Sequence, residues 1–513
     1  MKRLISLTIA SLMLLLSACG NNASSGEQPA AEGPKDLVVA LGSEPISLDP
    51  QDASDGISLH ATELIYDKLV TFDKDMNIIP ELAKEWSMSE DGKSWTFTLQ
   101  EGAKFQDGEP VNAEAVKASF DRILDKNNKL KRRSLFADFI ESVSVESEYK
   151  VTFQLKFQYA PLLATLAHPN GGIHSPKNTA EKGKSVGKSP VGSGPYQFKE
   201  WISGEKLVLE ANPNYWGEKP KVKSITFKPV VENAARSLML ETGEADVILP
   251  IPATDIDRLK NNDQVKVELY PSNRNLYMGM NTQKAPFDNV KVRQALNYAV
   301  DKETIVNKIM MGNAKPAEAA ISGLTWGYSP VGTYPYDPEK AKQLLAEAGV
   351  KPGTTIKLWT PEGRYLMDRQ LSEFVQANLQ AVGFNVEFRK WEWGAYQEAI
   401  DDPNSGYDLF LLSWAVPTND ADWGLRPNFS TEGSNNRTLF SNAELDALID
   451  QGMKTTNEEE RKQIYAKALQ IIKDEAPWIF LVEMKQPIGV RKNVEGVYGS
   501  NTERLILRDA DKK

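Results

Sequence analysis

An α/β fold built around a parallel sheet is predicted by three observations. Residues 355–414 read as strand–helix–strand–helix–strand, the pattern of parallel strands joined by crossover helices. A separate stretch, 94–155, contains short strands of alternating polarity. Beyond the first residues, roughly 480 remain, more than one hydrophobic core usually holds, so two or three domains are expected.

The N-terminus stands apart. Lys2 and Arg3 precede an apolar run from Leu4 to Leu16 and then "LSAC" at 16–19. A charged start, a short apolar middle and small residues before a break form a secretory signal. The run is shorter than the ~20 residues that span a bilayer. Cys19, the only cysteine of the chain, ends it in a segment that resembles the lipobox of bacterial lipoproteins. That resemblance implies cleavage after residue 18 and lipidation of Cys19. Residues 19–35 are mostly small and polar and read as a flexible tether.

Removing Lys2 and Arg3 takes the formal net charge from −10 to −12. That balance argues against a nucleic-acid partner. With no cysteine after Cys19, disulfides and thiolate metal sites are excluded.

Along the chain, "LVVAL" (37–41) is a short apolar strand. Trp95, Phe97 and Leu99 alternate with polar residues as a half-buried strand, and "NAEAVKASFDRI" (112–123) is a helix capped by Asn112. "VSVESEYKVTFQL" (143–155) gives two strands, and "GSGPY" (192–196) a turn between strands. "ENAARSLMLETG" (232–243) is a helix stopped by Gly243, 287–312 holds two helices, and 336–350 is an amphipathic helix. In the parallel unit, "TIKLWT" (355–360), "FNVEFRKWEW" (384–393) and "YDLFLLSW" (407–414) are strands. The first crossover carries Leu371, Phe374, Val375, Leu379 and Val382 at helical spacing.

Parallel strands share a carboxyl-terminal edge, where open α/β sheets bind ligands. The loop with Arg364 and Tyr365 and the loop with Asp420 and Asp422 are expected on that edge together. Five of the 11 tryptophans (Trp359, Trp391, Trp393, Trp414, Trp423) fall between 359 and 423. Trp359 and Trp391 read as core, Trp414 and Trp423 as pocket walls. Arg364 precedes a helix and offers a bidentate fork to a carboxylate. Asp420 or Asp422 can accept from an ammonium, with helix or turn capping as the competing role. A cation and an anion facing one cleft suit a zwitterion such as a short peptide.

Catalytic patterns are poor. His60, His168 and His174 have no H-E-x-x-H spacing, and no G-x-S-x-G elbow is present. His168 and His174 together form at most a weak metal candidate, and satisfied core histidines are the expected reading. No catalytic residue, cofactor or metal site is assigned.

Four segments, "GSEPISLDP" (42–50), 83–123, "PVGSGPYQFKEWISGEKLVLEANPNYWG" (190–217) and "APFDNVKVRQALNYAVDKETIV" (285–306), resemble family 5 extracellular solute-binding proteins. "WEWGAYQEAI" (391–400), "LSWAVPTNDADWGL" (412–425) and "NNRTLFSNAELDALI" (435–449) are similar to its dipeptide and glutathione-type branch. The resemblance implies a periplasmic-binding-protein-like fold (type II, cluster C), with two lobes that close by a hinge and an inserted domain. It divides the chain into signal (1–18), tether (19–35), domain I (36–70), domain II (71–165), domain I again (166–280), domain III (281–480) and a return to domain I (481–513). It also implies an extracytoplasmic lipoprotein at the outer face of the plasma membrane or in the periplasm, monomeric, that delivers a short peptide to an ABC permease. The implied ligand residues are Arg364 in "GRY" (363–365) for the carboxylate, Asp420 and Asp422 for the amino group, Arg437, and His168 and Asn170 in "AHPNGG", with Tyr365, Trp414 and Trp423 as further candidates beside them. Close dipeptide binders carry an aspartate where this chain has Pro417, which makes Asp420 the expected amino-group partner. A nickel-chelate or haem receptor on the same fold is the alternative.

Overall fold

The computed structural model describes residues 35–513; the signal, Cys19 and nearly all of the tether lie outside them. Eleven strands form one sheet. Numbered within this sheet, they are β1 (Asp36–Leu41), β2 (Tyr196–Ile202), β3 (Lys206–Ala211), β4 (Ser224–Pro229), β5 (Val247–Leu249) and β6 (Val265–Met280). They continue with β7 (Ala314–Pro316), β8 (Thr355–Pro361), β9 (Asn385–Trp391), β10 (Leu409–Trp414) and β11 (Trp478–Arg491). Their order is β9-β8-β10-β6-β11-β5-β1-β4-β3-β2, with β7 on β11.

β8 runs parallel to both β9 and β10. The expected strand–helix–strand–helix–strand unit is therefore present, with β8 in its centre. Its crossovers are the helices Asp368–Ala381 and Trp393–Asp401. The first buries Leu371, Val375 and Leu379 against the sheet, three residues at helical spacing. β10 is buried along "LFLL" and becomes half-exposed only at Ser413 and Trp414, where it reaches the edge.

Two strands run through both halves of the sheet. The 16-residue β6 pairs with β10 at one end, and the 14-residue β11 pairs with β5 at the other; they also pair with each other along most of their length. Their ladder breaks register between Pro271 and Asn275. Such an irregularity bends a strand and leaves backbone groups unpaired by the ladder. Here other chain segments take them up: the Asn273 N–H donates to the Asn501 carbonyl at 2.7 Å. Close packing continues just beyond, where a Cβ on Gly279 would lie 2.2 Å from the Phe410 ring on β10, so the position requires glycine.

Between β1 and β2 the chain builds a separate antiparallel sheet from Ala83–Met88, Ser94–Leu99, Lys150–Leu155 and Ile140–Ser147, in that order. The Ala113–Leu124 helix covers it, and the Asn112 side chain accepts from the Ala115 N–H as a cap. Phe120, Phe136, Phe97 and Phe153 meet edge to face in its core, a favoured arrangement of ring quadrupoles.

Two sequence expectations change. The second helix expected within 287–312 is only a short helical turn, Lys302–Thr304, that widens at Ile305–Ile309. The acidic stretch after β10 is a loop only as far as Asp420. From there it is the helix Ala421–Phe429 with Pro427 inside it.

Candidate functional site

The carboxyl-terminal edge of β8 carries Arg364. Its backbone is set by Asp368, whose carboxylate accepts from the N–H groups of Gly363, Arg364, Tyr365 and Arg369 at 2.7–3.3 Å. The helix-start N–H groups expected to favour an external anion thus already hold one, the protein's own. The Arg364 side chain remains exposed, 4.7 Å over the Trp393 ring and 5.5 Å from that of Tyr365. Among the described residues no carboxylate lies within ion-pair distance of it. A guanidinium above an aromatic face keeps its charge and its fork while its position is fixed.

Tyr365 meets Trp393 edge to face at 6.0 Å, and Trp393 tilts against Tyr396 at 6.1 Å. The Tyr396 hydroxyl donates to the Leu411 carbonyl of β10 at 2.7 Å. This run of contacts ties the β8 loop to β10, whose last residue is Trp414. The Trp414 indole N–H donates to the Trp423 carbonyl at 3.1 Å and so fixes its ring. Trp423 itself is half-buried and packs against the cores of both the four-stranded antiparallel sheet and the β8–β10 half. Trp359 is core, as expected, and Trp391 is half-buried with Arg389 stacked 3.5 Å from its ring.

Asp420 and Asp422 require a correction. Asp420 is the N-cap of the Ala421–Phe429 helix and accepts from the Asp422 N–H at 2.9 Å. Its two oxygens also take a bidentate fork from Arg461 at 2.6 and 2.7 Å. Asp422 is fully buried and accepts from Arg426 at 3.1–3.3 Å. Neither is a free carboxylate awaiting an ammonium. Burial forces the reason: a carboxylate removed from water must be neutralised from within. Capping, the competing role, is what Asp420 performs. Asp420 and Arg461 also border a cavity of about 450 Å³ that Trp86, Met88 and Trp95 of the four-stranded antiparallel sheet and Trp326 line from other sides.

Arg437 is likewise engaged. Its guanidinium reaches Asp401 at 2.6 Å, Gln397 at 3.4 Å and the Asn435 side chain. Asn170 is completely buried and donates through its amide to the carbonyls of Pro50 and Ala53. His168 is 2% exposed and lies between the Asn170 N–H and Arg504.

Sequence reasoning missed Arg274. It leaves the register break in β6 and grips Glu503 through Nε and Nη2 at 2.6–2.9 Å, while Nη1 donates to the Ser413 hydroxyl at 2.7 Å. One side chain thereby joins β6, the end of β10 and the C-terminal turn. Arg274 and Glu503 stand 229 residues apart, and no local pattern links them.

The three histidines are buried and neutral. Burial, with nearby cationic side chains, lowers His60 to about 3 and His174 to about 4, and drives His168 down as well. Among the described residues no group of three or more His, Cys, Asp or Glu side chains is placed to hold a metal.

A sheet in two halves, joined by two continuous strands and carrying an exposed, unpaired arginine among aromatic faces at the carboxyl-terminal edge of one half, has the frame of a two-lobed binding protein. The chain belongs to the bacterial extracellular solute-binding proteins, family 5, whose middle-region model matches residues 77–436. It is similar to the glutathione-binding protein GsiB of Pectobacterium atrosepticum, 36% identical over 488 residues that cover 93% of this chain and 94% of that one. Among solved structures it is similar to the periplasmic binding protein DppA of Helicobacter pylori in complex with peptide STSA, with TM-score 0.78, 27% identity and coverage of 93% and 98%. It is also similar to a dipeptide binding protein of Pseudoalteromonas sp. SM9913 in complex with Met-Leu, with TM-score 0.80, 26% identity and coverage of 93% and 100%. The expected periplasmic-binding-protein fold is thus present, and the chain is a solute-binding protein and not an enzyme.

Two outcomes follow from these buried charges. Asp420→Asn leaves Arg461 buried without its partner and is expected to cost about 3–5 kcal/mol of stability. A melting temperature equal to wild type would refute the pairing. The histidines give a pH signature. Their folded values lie below the unfolded value of 6.5, so between about 4 and 6.5 the unfolded chain binds more protons. Their contribution is complete above pH 6.5 and is lost as pH falls, by at most ~1.4 kcal/mol per pH unit for each. Asp67, which burial and Glu81 raise to about 6, acts in the opposite sense. His174→Gln therefore reduces the acid-side loss, measured as melting temperature from pH 7 to 4.5; an unchanged slope would remove His174 from this account.

Proposed function

We propose that the chain captures a short peptide, of dipeptide or glutathione size, between the two halves of its sheet and passes it to the membrane permease of an ABC importer. The observation that carries this reading is the state of Arg364. It is exposed, oriented by Trp393 and Tyr365 and without a carboxylate partner, whereas Arg437, Arg426 and Arg461 are each paired internally. An oriented, unpaired guanidinium at the carboxyl-terminal edge of parallel strands suits a ligand carboxylate. Trp393 and Trp414 supply apolar faces for the rest of the peptide. The names of the relatives, a glutathione-binding and a dipeptide-binding protein, support the same class of ligand.

Domain closure around β6 and β11 would come from the ligand's higher affinity for the closed state. Recognition of the amino end is assigned to neither Asp420 nor Asp422, because internal arginines occupy both. Lipid attached at Cys19 would keep the receptor at the membrane, where captured peptide meets the permease. The nickel-chelate or haem alternative would draw on His60, His168 and His174, and each of these is buried within the described residues.

Titration calorimetry of the purified protein against glutathione, a set of dipeptides, longer peptides, nickel–histidine and haem tests the reading. Binding of glutathione or a dipeptide is expected, with Arg364→Ala weakening it by roughly 30-fold or more and a C-terminally amidated peptide losing a similar factor. Binding of nickel–histidine or haem alone would overturn it. For the anchor, full-length protein expressed in bacteria is expected to partition with detergent in phase separation, and Cys19→Ser with the aqueous phase. Equal partitioning would argue against lipidation.

A further inference from the structure

None of Arg364, Tyr365, Trp393 and Trp414 lines the cavity of about 450 Å³ beside Asp420. On one side this cavity is bounded by the antiparallel sheet. Trp86 and Met88 lie on the strand Ala83–Met88, and Trp95, on the neighbouring strand, stands opposite Met88 in register. Phe72 ends the short strand Val70–Phe72. On the other side are Trp326 and the loop Thr418–Asp420 after β10.

Four aromatic side chains thus surround one space, and no ring-to-ring contact forms between them. Among the described residues Phe72, Trp86 and Trp95 have no ring or cation partner. Trp326 has only Tyr465, edge-on at 6.5 Å, and the Arg461 guanidinium, 4.4 Å from its ring. Rings in a core pair offset or edge to face, as Phe97, Phe120 and Phe153 do. Rings set apart around a cavity keep their faces and edges available to one more planar group.

Two polar groups on the same walls are unmet. Trp95 is 8% exposed and its indole N–H has no acceptor, and Thr418 is 2% exposed and its hydroxyl has no partner among the described residues. A buried donor without an acceptor is costly, and a made hydrogen bond recovers that cost. The charges, by contrast, are settled. Asp420 and Arg461 pair through both oxygens, and Glu458 is exposed in the first turn of its helix. The walls therefore complement an uncharged ring bearing an oxygen that accepts from the indole N–H and shares a hydrogen bond with the hydroxyl.

The backbone around the cavity is also unusual. Met76 (φ 65°), in the turn after Phe72, and Asn419 (φ 54°) are both left-handed, and both line it. That conformation is uncommon for a side chain as large as methionine, and such positions gather at ligand clamps.

We propose that this cavity is a second binding site, for an uncharged phenolic ring enclosed by Phe72, Trp86, Trp95 and Trp326, with its oxygen held by Trp95 Nε1 and Thr418 Oγ1. A tyrosine side chain of a captured peptide and a free phenol present the same chemistry to it. The site goes beyond the peptide-receptor reading, since it requires neither Arg364 nor a carboxylate.

Calorimetric titration of the full-length protein with p-cresol, and with toluene as the same ring without the oxygen, tests the site. Wild type is expected to bind p-cresol about fivefold to tenfold more tightly than toluene, the equivalent of one net hydrogen bond. Trp95→Phe, which keeps a ring and removes the N–H, should lose that preference and leave toluene binding unchanged. Thr418→Val, close to isosteric, should reduce the preference in the same direction and carries the test if Trp95→Phe does not fold. Absent p-cresol binding, equal affinity for the two probes, or a preference untouched by both substitutions overturns the proposal. Titrating Tyr-Ala and Ala-Ala with and without saturating p-cresol then identifies the source of the ring. Competition confined to Tyr-Ala, with a loss of its advantage over Ala-Ala in Trp95→Phe, assigns the ring to the peptide, and simultaneous binding assigns it to a free phenol. If wild type binds no dipeptide, the receptor reading fails separately, and the p-cresol titration still decides the cavity.

Discussion

The antiparallel pair β6 and β11 is the constraint on which the rest depends. Each strand belongs to both halves of the sheet, so their ladder is the backbone connection that the two cores share. Main-chain hydrogen bonds leave little freedom within such a ladder, and what freedom exists gathers where the register breaks, between Pro271 and Asn275. That break frees Ser272, Asn273 and Arg274 to bond outward. Asn273 holds the C-terminal turn and the Val416 carbonyl, and Arg274 holds Glu503 and Ser413. The register break, the C-terminal turn and the end of β10 are therefore tied together by the same few residues.

Charge is distributed in two ways around this junction. Asp420 with Arg461, Asp422 with Arg426, and Arg274 with Glu503 are pairs in which burial is offset by close, multiple hydrogen bonds. They fix loops and helices. Arg364 is different, since among the described residues it is exposed and has no carboxylate within ion-pair distance. It is kept in place by the aromatic faces of Trp393 and Tyr365. Its guanidinium is open to a negative charge from outside, which is what the proposed peptide carboxylate would supply.

Much of this could be read from the sequence where the determining forces are local. The helices that begin at Asn112 and end at Gly243 follow from caps and turn chemistry. The parallel unit of β8, β9 and β10 follows from apolar runs separated by amphipathic helices, and it correctly placed Arg364 and the β10 loop on one edge. The acidic stretch was misread for an equally physical reason. "DADWGLRPNF" contains Gly424 and Pro427, which argue locally against a helix, yet the Asp420 cap and Asp422–Arg426 spacing at i, i+4 support one. Arg461 lies 41 residues beyond Asp420 on another helix, and nothing in the intervening sequence announces the pair.

The sequence by itself determined the chemical inventory: a charged and apolar N-terminal run before a single cysteine, a parallel unit with its carboxyl-terminal edge, and aromatic residues gathered near that edge. Those properties depend on residue type and short spacing. Only the tertiary structure decided which charges remain available. Pairing depends on burial and on contacts between segments that lie tens to hundreds of residues apart, as in Asp420–Arg461 and Arg274–Glu503. The same aspartate is a ligand group or an internal counter-ion according to what the fold brings beside it. For this chain the fold brings an arginine to Asp420 and to Asp422 and leaves the exposed Arg364 with no carboxylate partner among the described residues.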